Sequence, residues 1–224
     1  MPSRLAAPIL AVLATLVLCA CAVEGDIANT PTLYVDEVVN RAWLPEIYIE
    51  PETAPMQPLT AVLFPLRLRQ QFSNGTQLSE ELTRAFWNVW LRDRVFPGLA
   101  FAQGETWRGP DKAMSLTTGS GTDLIIGGEI THIMFGGTSG TTEISLRLEI
   151  YDAATGNLLW SMAHAGQMRN ALNGDFIVLT KKSRLPSSPA GAIMVALAED
   201  MAKPVKRWNF GQPEEDENAP SPLK

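Results

Sequence analysis

The chain has 224 residues, a formal net charge of −6, 46% hydrophobic residues, two cysteines and two histidines. That balance argues against nucleic acid and against electrostatic adhesion to anionic lipid head groups, and it leaves a zinc centre without enough ligands. The length suits a single domain, since about 150 ordered residues can bury a stabilising core without disulfides.

The N-terminus has the anatomy of an export signal. Arg4 precedes an apolar run from Leu5 to Leu18 that is too short to cross a bilayer comfortably as a finished helix. Leu18-Cys19-Ala20-Cys21 then reads as a lipobox, in which the cysteine after a small residue accepts a diacylglyceryl thioether and the peptide is cut before it. Choosing Cys19 as acceptor would put Leu18 where a small side chain is needed, so Cys21 is the expected lipid-attachment residue. The alternatives are a secreted chain cut by ordinary signal peptidase and an uncleaved anchor. Residues 1–20 are therefore expected to be a signal peptide. Cleavage would leave one cysteine, already lipidated, and no disulfide. Two or three acyl chains give durable anchoring where a single one does not. Ala22 occupies the position where aspartate would favour retention at the inner membrane, which points to the outer membrane and its periplasmic face. After the leader, no apolar run is long enough to span a membrane.

Residues 21–58 read as a proline-rich tether, with Pro31, Pro45, Pro51, Pro55 and Pro58. Leu33–Val39 and Trp43–Ile49 within it are apolar enough to dock on a domain as an edge strand. A mixed α/β (α+β) domain is expected over 59–208. Thr60–Phe64 reads as a buried strand stopped by Pro65, and Ser73-Asn74-Gly75 as a turn. A helix is expected over Gln77–Arg92, opened by Ser79 with Glu80 and Glu81 in its first turn. Leu78, Leu82, Ala85, Phe86, Val89 and Trp90 share its core face. At about 100° per residue, Trp87 and Leu91 fall nearly opposite, among Arg84, Arg94 and Glu80, and are candidate interface residues.

Val95–Ala102 reads as a second strand near an edge, broken by Pro97-Gly98, and Pro110–Leu116 as a short helix. Asp123–Ile130 is apolar and glycine-rich, as a doubly covered central strand would be, and can continue to Phe135. Gly136–Gly140 turns the chain. Thr142–Tyr151 alternates, with Ile144, Leu146, Leu148 and Ile150 on one side and Glu143, Ser145, Arg147 and Glu149 on the other. Asp152–Asn157 carries type I turn residues closed by glycine, so Leu158–Ala163 should return as a hairpin. Gly166–Pro186 has little pattern. A last helix should start near Pro189, with an apolar stripe of Ile193, Met194, Leu197, Ala198 and Met201, and stop or bend at Pro204. Residues 209–224 form an acidic, proline-containing tail of disordered composition. The expected order is strand, helix, strand, short helix, three strands, helix: a mixed sheet with a crossover helix, a hairpin and a C-terminal helix packed on it.

Chemistry-bearing patterns are sparse. His132 alternates with apolar neighbours in a strand and reads as structural, and there is no H-E-x-x-H, Cys/His cluster, G-x-S-x-G elbow or P-loop in the sequence. Glu129 sits in an otherwise apolar strand; pointing inward it would need a partner such as Arg147 or Lys181, and at a sheet edge it would need none. No catalytic residue, cofactor or metal is expected.

The lipobox, the tether, Ala61-Val-Leu-Phe-Pro65, Asp123–Ile130 and the Ile-Tyr-Asp-x-x-Thr-Gly-x-x-Leu-Trp hairpin (Ile150–Trp160) together resemble periplasmic lipoproteins of the curli-secretion-channel type. That loose group includes the ring lipoprotein of Pel polysaccharide export and the activators of penicillin-binding proteins. The resemblance implies a non-catalytic assembly or interaction module of an envelope machine, with envelope proteins or its own copies as partners and homo-oligomeric rings as one form. The long membrane-spanning hairpins of the curli channels have no counterpart here, so a pore made by this chain alone is not expected. A second expectation is an auxiliary that binds an apolar ligand in a cavity lined by Phe135, Met162, Met194 and Met201, residues that read more readily as an ordinary core.

Overall fold

The structure, a computed structural model, describes residues 32–137, 140–169, 174–175 and 180–211. The leader, Cys21 and the tail from residue 212 lie outside them. The chain divides into two units. The smaller contributes residues 32–35, 174–175 and 180–182 to a three-stranded sheet ordered β1 (Thr32–Asp36), β11 (Thr180–Arg184), β10 (Gly174–Asp175), with β10 and β11 antiparallel.

The larger unit is built on an eight-stranded mixed sheet. Its strands are β2 (Asn40–Arg41), β3 (Glu46–Ile49), β4 (Ala61–Leu63), β5 (Arg67–Leu68), β6 (Leu99–Phe101), β7 (Leu124–Met134), β8 (Thr141–Asp152) and β9 (Leu158–Arg169). The helices among the described residues are α1 (Gly75–Arg92), α2 (Pro110–Thr117) and α3 (Pro189–Phe210). In space the strands run β2, β9, β8, β7, β4, β6, with β3 also on β9 and β5 also on β7. The fold is the expected mixed α/β arrangement. β4 is parallel to both β6 and β7, because α1 and then α2 carry the chain back to the start of the sheet each time. β7, β8 and β9 follow as an antiparallel meander. Pro65 interrupts the first strand, and the chain rejoins β7 at Arg67–Leu68.

One face carries the main core. Ile144, Leu146, Leu148 and Ile150 of β8 are buried under α1 and α3, and Trp90 of α1 donates from its indole to the Ala198 carbonyl of α3 at 2.9 Å. The opposite face has a smaller core at one end, where Val62, Phe64, Ile125 and Ala113 of α2 surround Trp107. A Cβ at Gly127 would land on the Trp107 ring, so the glycine of this strand makes room for the indole.

Several boundaries depart from expectation for identifiable reasons. α1 begins at Gly75, a turn and more before Ser79, and its first turn holds no acid. Ser79 is buried inside the helix, where its hydroxyl donates to the Leu66 carbonyl, while Thr83 accepts from the Leu66 amide at 2.9 Å. Ser79 is thus a latch to the sheet, not a helix cap. The second strand shrinks to Leu99–Phe101, because the chain must first leave α1 through Arg94 in the left-handed region (φ 52°) and then pass Pro97-Gly98. β9 runs on to Arg169, six residues beyond the expected end, because β2 supplies an outer partner. α3 continues through Pro204 to Phe210 and closes on Gly211 at φ 60°. Pro204 removes only the N–H that would reach the Asp200 carbonyl, and buried Met201, Ala202 and Val205 hold the helix on the sheet.

Candidate interaction surfaces

Part of the segment read as tether completes the sheet. Asn40 and Arg41 pair with Gln167 and Gly166, and Glu46 and Ile47 with Ala163 and Met162, all on the outer side of β9. Gly166 permits this close approach: a Cβ there would meet Ile193, Leu197 and Val39 at 3.1–3.3 Å. The segment is pinned by an ionic group centred on the buried Asp200. Arg41 pairs with Asp200 of α3, whose carboxylate also lies 3.2 Å from Nε2 of His164 and 3.5 Å from Nζ of Lys203.

The electrostatics follow from that enclosure. Burial pushes His164 below the ordinary imidazole value, against the pull of the Asp200 carboxylate, and Arg41 adds to the lowering. Burial would raise Asp200, but the hydrogen bonds from Arg41 and His164 and the nearby positive charges outweigh it, and the carboxyl sits below its usual range. Although a histidine beside a carboxylate can serve acid–base chemistry, both side chains here are enclosed and satisfied within the clasp. Asp200 falls on the apolar stripe of α3, three residues after Leu197; an acid on a core face was the sequence signal for this group.

Of the candidate residues, Cys21 lies outside the described positions. Trp87 is half-buried: its ring lies 5.9 Å from that of Phe101 in β6, and its Nε1 donates to the Leu99 carbonyl at 3.3 Å. The guanidinium of Arg84 stands 4.7 Å over the Phe101 ring, and Leu91, one turn further along α1, is 45% exposed. Trp87 thus packs against β6, the outermost strand at this end of the sheet among the described residues, and Phe101 lies on its indole. Glu129 pairs with Arg67 and, at 3.7 Å, with Arg69, not with Arg147 or Lys181, since the parallel neighbour β5 brings both arginines beside it. His132 is exposed, 3.8 Å from Glu143.

The residues expected to line an apolar cavity separate instead. Met162, Met194 and Met201 are fully buried in the main core, whereas Phe135 is exposed and packs edge-on against Phe72. Among the described residues there is no group of three or more His, Cys, Asp or Glu placed to hold a metal, and no helix is long and apolar enough to cross a membrane.

No protein-family model matches the chain, and comparison with curated proteins finds no significant match. Among solved structures, the PelC dodecamer from Paraburkholderia phytofirmans is similar, at 11% identity and a TM-score of 0.49 over 76% of this chain and 97% of that one. Lipoprotein GNA1162 from Neisseria meningitidis follows at 17% identity and 0.41, over 65% of this chain and 99% of that one. The LpoB C-terminal domain from Salmonella enterica follows at 11% and 0.30, over 51% and 87%. With every score below 0.5, these likenesses carry nothing about the role of this chain.

Proposed function

We propose that the protein is an outer-membrane-anchored periplasmic lipoprotein that works without catalysis, as an assembly or interaction component of an envelope machine for secretion, export or cell-wall construction. Cys21 carries the lipid, and the face at the β6 end of the sheet contacts envelope proteins or further copies of the chain, a ring being one possible product. The observation that supports contact at this face is the combination of exposed Leu91 and half-buried Trp87 on the helix beside an outermost strand whose far side has no partner among the described residues. Apolar side chains at the edge of a sheet are what a protein partner can cover.

Because Trp87 also packs on Phe101, the test uses two exposed positions, Leu91 on α1 and Ala100 on β6. Leu91→Arg combined with Ala100→Arg should abolish the higher oligomer, or cross-linking to envelope partners, while melting stays within a few degrees of wild type. An unchanged assembly would remove this face from the reading. Intact-mass analysis of protein from cells with working lipoprotein-processing enzymes should find acylated Cys21 at the mature N-terminus; an unmodified terminus would defeat the anchor.

A further inference from the structure

The exposed apolar side chains are unevenly distributed. Among the described residues, seven of the thirteen large ones lie between Val38 and Met56, including Val38 (77%), Trp43 (68%), Leu44 (59%) and Tyr48 (58%). Ile47 and Ile49 beside Tyr48 are exposed as well, so β3 presents apolar surface from consecutive positions. The rings keep polar company: Tyr48 donates to Glu46 at 2.7 Å, and the Lys203 ammonium stands 5.6 Å from the Trp43 ring centroid. An apolar body with a polar edge is what favours tryptophan and tyrosine at a membrane–water boundary.

We infer that this segment rests on the lipid bilayer, with Trp43 and Leu44 seated at the boundary between head groups and acyl chains. The inference builds on the lipoprotein reading, because the anchor supplies the proximity. Glu37 follows Cys21 by sixteen positions, so even a fully extended connection reaches at most about 55 Å, and this segment is the part of the larger unit tied most closely to the acyl groups. The local charge selects the lipid. Glu46, Glu50 and Glu52 line the stretch, Arg41 is held by Asp200, and Lys203 beside Trp43 and Arg147 near Tyr48 do not outnumber the acids; contact is therefore by apolar insertion into a zwitterionic surface, not by attraction to anionic lipid. β3 is also poorly suited to receiving a partner strand, since its pairing shifts register between Ile47 and Ile49.

The test is fluorescence of the full-length lipidated protein in phosphatidylethanolamine–phosphatidylcholine vesicles whose acyl chains carry bromine as quencher. The expected result is quenching that Trp43→Phe removes and Trp87→Phe leaves in place. Quenching that survives in Trp43→Phe, or its absence from protein whose Cys21 is acylated by intact mass, overturns the docking and leaves the anchor standing. An unmodified N-terminus in the same preparation defeats the anchor and the docking with it. Protection of Trp43 without vesicles, at concentrations where copies associate, would identify a second copy as the occupant and overturn the lipid assignment.

Discussion

Asp200 is the residue on which the edge of the larger unit turns, because it neutralises Arg41 and orients His164 from inside a helix face that is otherwise apolar. Removing the acid leaves His164 enclosed without its partner and Arg41 unneutralised, which costs more than the group contributes as a whole. Asp200→Asn should destabilise by about 2–3 kcal/mol, with the cost moderated because Arg41 still reaches solvent, and urea unfolding would measure it. His164 gives a pH dependence of definite sign. Its folded value lies below the ordinary 6.5, so the unfolded chain takes up a proton first and stability falls as pH drops from about 6.5 toward the lowered value. Asp200, lowered from 3.8, adds a second loss at more acid pH. His164→Gln should flatten the first of these declines, read as melting temperature against pH between about 7.5 and 5.

At the scale of elements, β7 shows how tightly strand and cover are matched. Gly127→Ala would drive a methyl into the Trp107 ring and should cost about 1–3 kcal/mol, accompanied by a change in indole emission, because overpacking forces the ring from its place. The alternation of Thr142–Tyr151, the Asp152–Asn157 turn and the stripe of α3 were legible because each depends on local period or turn chemistry. The Asp152 carboxylate accepts from the Ala154 and Thr155 amides, and Gly156 takes φ 74°, as that turn requires. The start of α1 was not legible, since Ser79 looks like a cap by type and acts as a buried latch through a long-range bond to Leu66. Nor was the clasp, whose members stand 36 and 159 residues from Asp200 in the chain. Period and propensity are local, and these contacts are not.

At the scale of the molecule, the large sheet has two unlike ends. β6 closes one end beside the helix of Trp87 and Leu91, while β2 and β3 close the other beside Trp43 and Tyr48. Surfaces separated by the full width of a sheet with no shared contacts should respond independently to substitution. Combining the Leu91→Arg and Ala100→Arg pair with Trp43→Phe should therefore lose assembly and vesicle contact by separate amounts, neither change altering the other. The geometry also dictates a sequence of events during biosynthesis. Asn40 and Arg41 are made before either β9 or the acid that fastens them, and a chain completed from its amino end keeps that strand waiting until the last helix arrives. Protease sensitivity of newly made protein should accordingly disappear from residues 38–49 later than from the β8–β9 hairpin, so that closure of this edge marks the end of maturation.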